Sequence, residues 1–176
     1  MTLRYTAPAV VLHWLIAALI FVAFPLGVYM SDLPLSPTRL QLYSYHKWIG
    51  ISVLLLVGLR IVWRLTHRPP ALPDDLPRWQ RAASHAVHGL LYLLILAVPM
   101  TGWLMSSAKG FQTVWFGVLP LPDLVEKNRE LGQALGSAHE FLNYLLLTLV
   151  ILHVVAALKH HFHERRPFLQ RMGLGK

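Results

Sequence analysis

The chain contains no cysteine. That excludes disulfides, thiolate zinc sites, iron–sulfur clusters and covalent haem attachment through C-x-x-C-H, so any redox cofactor has to be held by other side chains. Charge is also scarce: 14% of the 176 residues are charged while 55% are hydrophobic, and the mean hydropathy is positive. A soluble domain carries more charge, and membrane residence is the economical reading. Acidic residues number 8 against 16 basic ones, a net charge of +8. Such an excess can mark a nucleic-acid partner. Here the basic residues gather at the ends of apolar runs, so topology explains them and no nucleic acid is expected.

Four apolar runs are long enough to cross a bilayer core of about 30 Å at 1.5 Å per helical residue. They cover approximately residues 9–30, 46–63, 85–107 and 139–158. The expectation is an all-α protein, an integral membrane four-helix transmembrane bundle forming one domain over residues 1–176. The first run is too long for an ordinary signal-peptide core and lacks an A-x-A-like exit, so it reads as a retained span. Arg60 and Arg64 lie one turn apart at the end of the second run and can snorkel to the interface beside Trp63, or hold carboxylates of a cofactor. Arg4, the stretch Arg60–Arg81 and the tail Lys159–Lys176 carry eleven of the sixteen basic residues. By the positive-inside rule both termini are cytoplasmic. Residues 31–45 and 66–83 are Pro-rich connectors, and residues 108–138 form a longer outer loop with a short amphipathic helix near Asp123–Leu135. Pro25 in Phe24–Gly27 and Pro99 in Val98–Gly102 form a weak internal echo, read first as packing and then as shaping a cofactor cavity.

Ten histidines are many for such a composition, because a ring nitrogen in hydrocarbon requires a partner. Five lie in the end turns of spans. His13 and His88 fall near the inner face and His46 near the outer one, while His139 and His153 put one histidine of the fourth span in each layer. Those two are fourteen residues apart, about 21 Å and close to four turns, and so project from nearly one face. A lone histidine at a helix end is more often a hydrated interfacial side chain than a ligand; several in two matched layers reverse that preference. The pattern suits two stacked haems ligated from facing helices. The outer pair is His46 with His139, and two axial imidazoles favour outer-sphere electron transfer over oxygen binding. At the inner layer spacing leaves His13, His88 and His153 open, with His85 a further candidate. Gly50 and Gly89, close to His46 and His88, leave room for a flat macrocycle. The His160, His161, His163 cluster reads as a solvated juxtamembrane segment.

These residues resemble the bacterial cytochrome b561 family, which includes the superoxide oxidases. The likeness rests on Leu12-His13-Trp14-Leu15, His46 through Gly50, Ser84 through Leu90, the Val98–Leu104 stretch, His139-Glu140 and Leu152-His153 through His161, and covers nearly the whole chain. It implies a multi-pass protein of the bacterial inner membrane with two haem b, axial pairs His46 with His139 and His13 with His153, and ubiquinone as electron acceptor. On that assignment His88 is free to contact a quinone carbonyl or a propionate, and His160 is a second such candidate. The resemblance further implies oxidation of superoxide to dioxygen on the periplasmic side. Lys47, Arg39 and Lys109 lie on that side and form a local anion guide, although the charges of the outer surface as a whole sum to neutral. Glu140, beside His139, points about 100° away on the helix and is better placed for solvation than for orienting the ligand.

Three other readings compete. A cytochrome b anchor subunit would pass electrons from a periplasmic hydrogenase or formate dehydrogenase to quinone with similar histidines, but needs a docking surface for a partner protein. A haem-free transporter using histidines for protons or metal ions would place them at mid-span with acidic partners, and these lie in two layers near the surfaces. A structural membrane protein with interfacial histidines and no cofactor is the least economical reading.

Overall fold

A computed structural model describes residues 4–72, 76–166 and 168–174. Four long helices form the body: α1 (Ala7–Asp32), α2 (Pro37–Thr66), α3 (Arg78–Ala108) and α4 (Arg129–Leu158). A two-stranded hairpin, β1 (Val114–Trp115) with β2 (Leu119–Pro120), lies between α3 and α4, and a short α5 (Phe168–Arg171) ends the described chain. All four long helices have the length and apolarity to cross a membrane. Large apolar side chains such as Phe21, Leu65 and Phe141 point outward, as expected where the surrounding medium is lipid and outward apolar surface carries no penalty.

The helices extend beyond the apolar runs because their ends are set by caps rather than by hydrophobicity. α2 starts at Pro37, with the Ser36 hydroxyl accepting from the Arg39 N–H at 3.2 Å. α4 starts at Arg129, where the Asn128 side chain accepts from the Leu131 N–H at 3.0 Å. The separate amphipathic helix expected near Asp123–Leu135 is therefore absent: residues 123–128 are non-helical and the remainder is the first part of α4. Gly132 explains the extension, since a Cβ there would meet Lys109 Cγ at 3.0 Å. The missing side chain lets α4 run close against the end of α3, as small residues do between membrane helices.

Inside the bundle, Ile16, Val53 and Val57 bind α1 to α2, and Leu94, Val98 and Leu146 bind α3 to α4. Ile20 and Ile95 pack against both clusters and join the two helix pairs. At one end of the bundle the hairpin packs against α2 at Trp48 and Ser52: Trp48 Nε1 donates to the Val114 carbonyl at 2.7 Å, and Trp115 Nε1 to Ser52 Oγ at 3.2 Å. Its turn holds Phe116 and Gly117 at φ +50° and +72°, the primed geometry that favours glycine.

At the other end the two termini meet. The Tyr5 N–H donates to the Arg171 carbonyl at 3.1 Å, and Trp14 Nε1 to the Met172 carbonyl at 2.9 Å. The buried Arg171 guanidinium donates to the carbonyls of Pro70 at 2.9 Å and Ala71 at 2.6 Å, tying the tail to the α2–α3 connector. A π-helical turn at Lys159–His163 leads into this tail. Glu164 gathers His160, Arg166 and Lys159 at 2.8, 3.1 and 3.7 Å. The His160 hydrogen bond, more than the nearby charges, holds the Glu164 carboxyl below the usual carboxylate range.

Candidate functional site

α4 presents His139 and His153 to the two ends of the bundle interior. At the hairpin end His139 faces His46 of α2, with ring centroids 6.3 Å apart and planes at 86°. At the terminal end His153 faces His13 of α1 at 6.4 Å and 72°. His88 of α3 lies nearer to His153, at 5.2 Å.

These separations can be compared with what one metal ion requires. A metal–nitrogen bond of about 2 Å and about 1.1 Å from nitrogen to ring centre put two imidazoles on opposite sides of one ion about 6 Å apart, centre to centre. The His46–His139 and His13–His153 pairs match that span, whereas His88 and His153 are too close. Among the described residues no group of three or more His, Asp or Glu side chains could hold a metal ion. Paired imidazoles alone leave four in-plane positions unfilled, which is the donor set that a porphyrin supplies, so the residues fit haem better than a bare ion.

Backbone carbonyls orient two of the rings. Nδ1 of His139 lies 2.9 Å from the Val98 carbonyl, and a carbonyl only accepts, so Nδ1 bears the proton and Nε2 keeps a free lone pair. The Thr101 hydroxyl donates to the same carbonyl at 2.8 Å and lies 3.2 Å from Nδ1. Nδ1 of His88 similarly approaches its own helix's Ser84 carbonyl at 2.7 Å. Nδ1 of His46 is buried without a hydrogen bond of good geometry, although the Ala23 carbonyl of α1 lies within reach of the ring.

Two glycines make room for the hairpin-end pair. A Cβ on Gly102 would stand 3.0 Å from His139 Cε1, and one on Gly27 would stand 3.1 Å from His46 Cε1. Each glycine lies four residues after the carbonyl facing the same ring, Val98 for His139 and Ala23 for His46. The Pro25–Gly27 and Pro99–Gly102 echo is thus a repeated seat for a histidine, with Pro25 and Pro99 inside α1 and α3. The sequence shows the echo, read first as packing and then as shaping a cofactor cavity, but gives no sign of Val98 and Thr101 as the groups that orient His139. Gly50 and Gly89, expected to leave room for a macrocycle, face open space, with no protein atom within 4 Å of a Cβ built on either.

The remaining candidates lie farther from the paired rings or are engaged elsewhere. His160 is bound to Glu164 at 2.8 Å in the tail. Lys47 Nζ donates to the Phe111 carbonyl at 3.0 Å, and Arg39 donates to the Ser31 carbonyl and Tyr43 hydroxyl. Lys109 is the cation of the three whose charge reaches His139. Arg60 donates to the Ala9 carbonyl at 2.7 Å and the Tyr92 hydroxyl at 2.9 Å, close enough for its charge to reach His13 and His88.

Comparison with known proteins identifies the family. The model of the prokaryotic cytochrome b561 family matches residues 4–175. The chain belongs to that family. It is 33% identical to "Cytochrome b561 homolog 2" of Escherichia coli K12, over 98% of this chain and 92% of that relative. It is 28% identical to "Probable superoxide oxidase CybB" of Yersinia pestis, over 96% of this chain and 95% of the relative. "Cytochrome b562" of Cereibacter sphaeroides is also 28% identical, over 96% of this chain and 94% of its own. As a cytochrome b561 the protein is a multi-pass component of the bacterial inner membrane that binds haem b and transfers electrons.

Proposed function

We propose that this cytochrome b561 is a single-domain, di-haem superoxide:ubiquinone oxidoreductase, with its termini cytoplasmic and its hairpin end periplasmic. The net reaction balances as two superoxide anions, one ubiquinone and two protons giving two dioxygen molecules and one ubiquinol. The observation that carries the reading is the pair of ring separations, 6.3 and 6.4 Å, one at each end of the bundle. His46 with His139, and His13 with His153, are the proposed axial pairs. Haem b held by these pairs would supply a one-electron couple at each layer.

The protein's own groups have distinct tasks. The Val98 carbonyl keeps the proton of His139 on Nδ1 and its ring aimed into the bundle. Lys109 gives the hairpin end a cation near His139, which favours the approach of a small anion. Lys47 and Arg39 spend part of their donor capacity on protein carbonyls and contribute general positive potential. His88, whose 5.2 Å spacing from His153 does not suit a shared ion, is left to contact quinone or a propionate near the inner layer. His160 is the weaker candidate for that contact because Glu164 already engages it.

The resemblance to a probable superoxide oxidase supports the substrate. The anchor-subunit alternative draws on the hairpin, where Phe116 and Val118 are exposed by 56% and 83% and offer an apolar surface to a partner. One assay separates them. Purified holoprotein supplied with superoxide and a ubiquinone analogue is expected to reduce the quinone well above the uncatalysed rate without any partner. Reduction at the uncatalysed rate would support the anchor subunit.

A further inference from the structure

A second polar site lies at the terminal end, lined by the segment before α1, the last turns of α2 and Tyr92 of α3. Arg4, Arg60, Arg64, His67 and Arg68 all line it. Among the described residues none of the four arginines is paired with a carboxylate, and the ion pairs that are formed gather on Glu164 instead. Such a concentration of like charge is self-repelling unless it is offset. Part of the offset comes from Tyr92, whose ring lies under both the Arg60 and Arg64 guanidinium groups at 5.9 and 5.4 Å. Arg60 also uses donors on the Ala9 carbonyl and the Tyr92 hydroxyl. Arg4, Arg64 and Arg68 make no hydrogen bond to a protein acceptor among the described residues, so their donors remain available.

We infer that this pocket binds a phosphate-bearing anion. Guanidinium groups match phosphate oxygens in planar, two-point hydrogen bonds, and several held around one hollow provide charge and directional donors together. The surroundings favour a phosphodiester carried on a lipid. Trp63 forms one wall, anchored to the Thr6 hydroxyl at 2.9 Å and stacked on His67 at 3.9 Å, as interfacial aromatics are. Exposed Leu59 and Val62 on α2 and Val11 on α1 offer apolar surface to acyl chains. Basic pockets between membrane helices bind anionic head groups in this way.

The test uses the full-length holoprotein in neutral maltoside micelles. Its thermal unfolding midpoint is followed while phosphatidylglycerol, phosphatidylcholine of the same chains, or inorganic phosphate is added. A saturable rise with phosphatidylglycerol and none with phosphatidylcholine is expected, because a ligand that binds only the folded state stabilises it. In Arg4→Gln/Arg68→Gln the apparent affinity should fall about 25-fold, from about fivefold for each interfacial charge removed, with haem content unchanged. An equal response to inorganic phosphate at the same concentration would uphold the anion site but assign it to free phosphate. Equal responses to the two lipids with none to inorganic phosphate, or a double variant that binds like the parent, would overturn the inference. Should the double variant not accumulate with haem, Arg68→Gln is read in the same titration with the fivefold expectation.

Discussion

Replacing His139 by alanine is expected to leave one haem per chain, against the two proposed for the parent. The paired rings at 6.3 Å require both partners, and the facing His46 cannot supply two axial bonds. The loss should be confined to the hairpin end, because the terminal-end pair is about 21 Å away along α4 and shares no ligand with it. His153→Ala should do the reverse. The same series distinguishes the inner candidates. His13 lies 6.4 Å from His153 and His88 only 5.2 Å, so His13→Ala should lose the inner haem while His88→Ala keeps both. Pyridine haemochrome counting and low-temperature spectra of the purified variants read the result directly. Two low-spin haems in either His139→Ala or His153→Ala would show that the pairing is wrong, and loss of the inner haem in His88→Ala but not in His13→Ala would exchange their roles.

The second large effect is expected at a residue that carries no chemistry. Gly102→Val would put a branched side chain where even a single Cβ stands 3.0 Å from His139 Cε1. The ring must move, and the Nδ1 contact with Val98 is lost with it. Loss of such an orienting contact typically weakens metal retention about 10- to 100-fold, so the hairpin-end haem should dissociate readily during purification. Gly102→Ala should keep both haems but shift the midpoint potential of one, because the ring displacement is then a few tenths of an ångström and the hydrogen bond is strained rather than broken. A redox titration of the two variants beside the parent checks this. Unchanged occupancy and two unchanged potentials in Gly102→Val would mean that the glycine seat has no role in holding the ligand.

That seat also marks how far the sequence could be read. The four helices were legible because long uncharged runs have one economical meaning, and the two histidine layers followed from helical rise and the alternation of entry sides. Helix ends were less legible. The starts of α2 and α4 depend on Ser36 and Asn128 as caps and on Gly132 as a close-approach point, none of which alters the hydropathy pattern. The hairpin was read as plain outer loop because two-residue strands leave almost no alternation, and its attachment to α2 through Trp48 and Trp115 is a long-range contact. The proline–glycine echo was visible as a pattern, but its meaning depends on which ring each glycine faces, and only the packed helices determine that. The cluster Arg4, Arg60, Arg64 and Arg68 was read as topology, with Arg60 and Arg64 also as holders of cofactor carboxylates, which does not account for the convergence of all four on one hollow.

The most direct test of a di-haem bundle is the reduced-minus-oxidised visible spectrum of the detergent-purified protein, with haem counted per chain. The expected result is two b-type haems per polypeptide, both low-spin with two nitrogenous axial ligands. A single haem per chain, or a high-spin signal at either layer, would contradict the two-layer assignment built on His46 with His139 and His13 with His153.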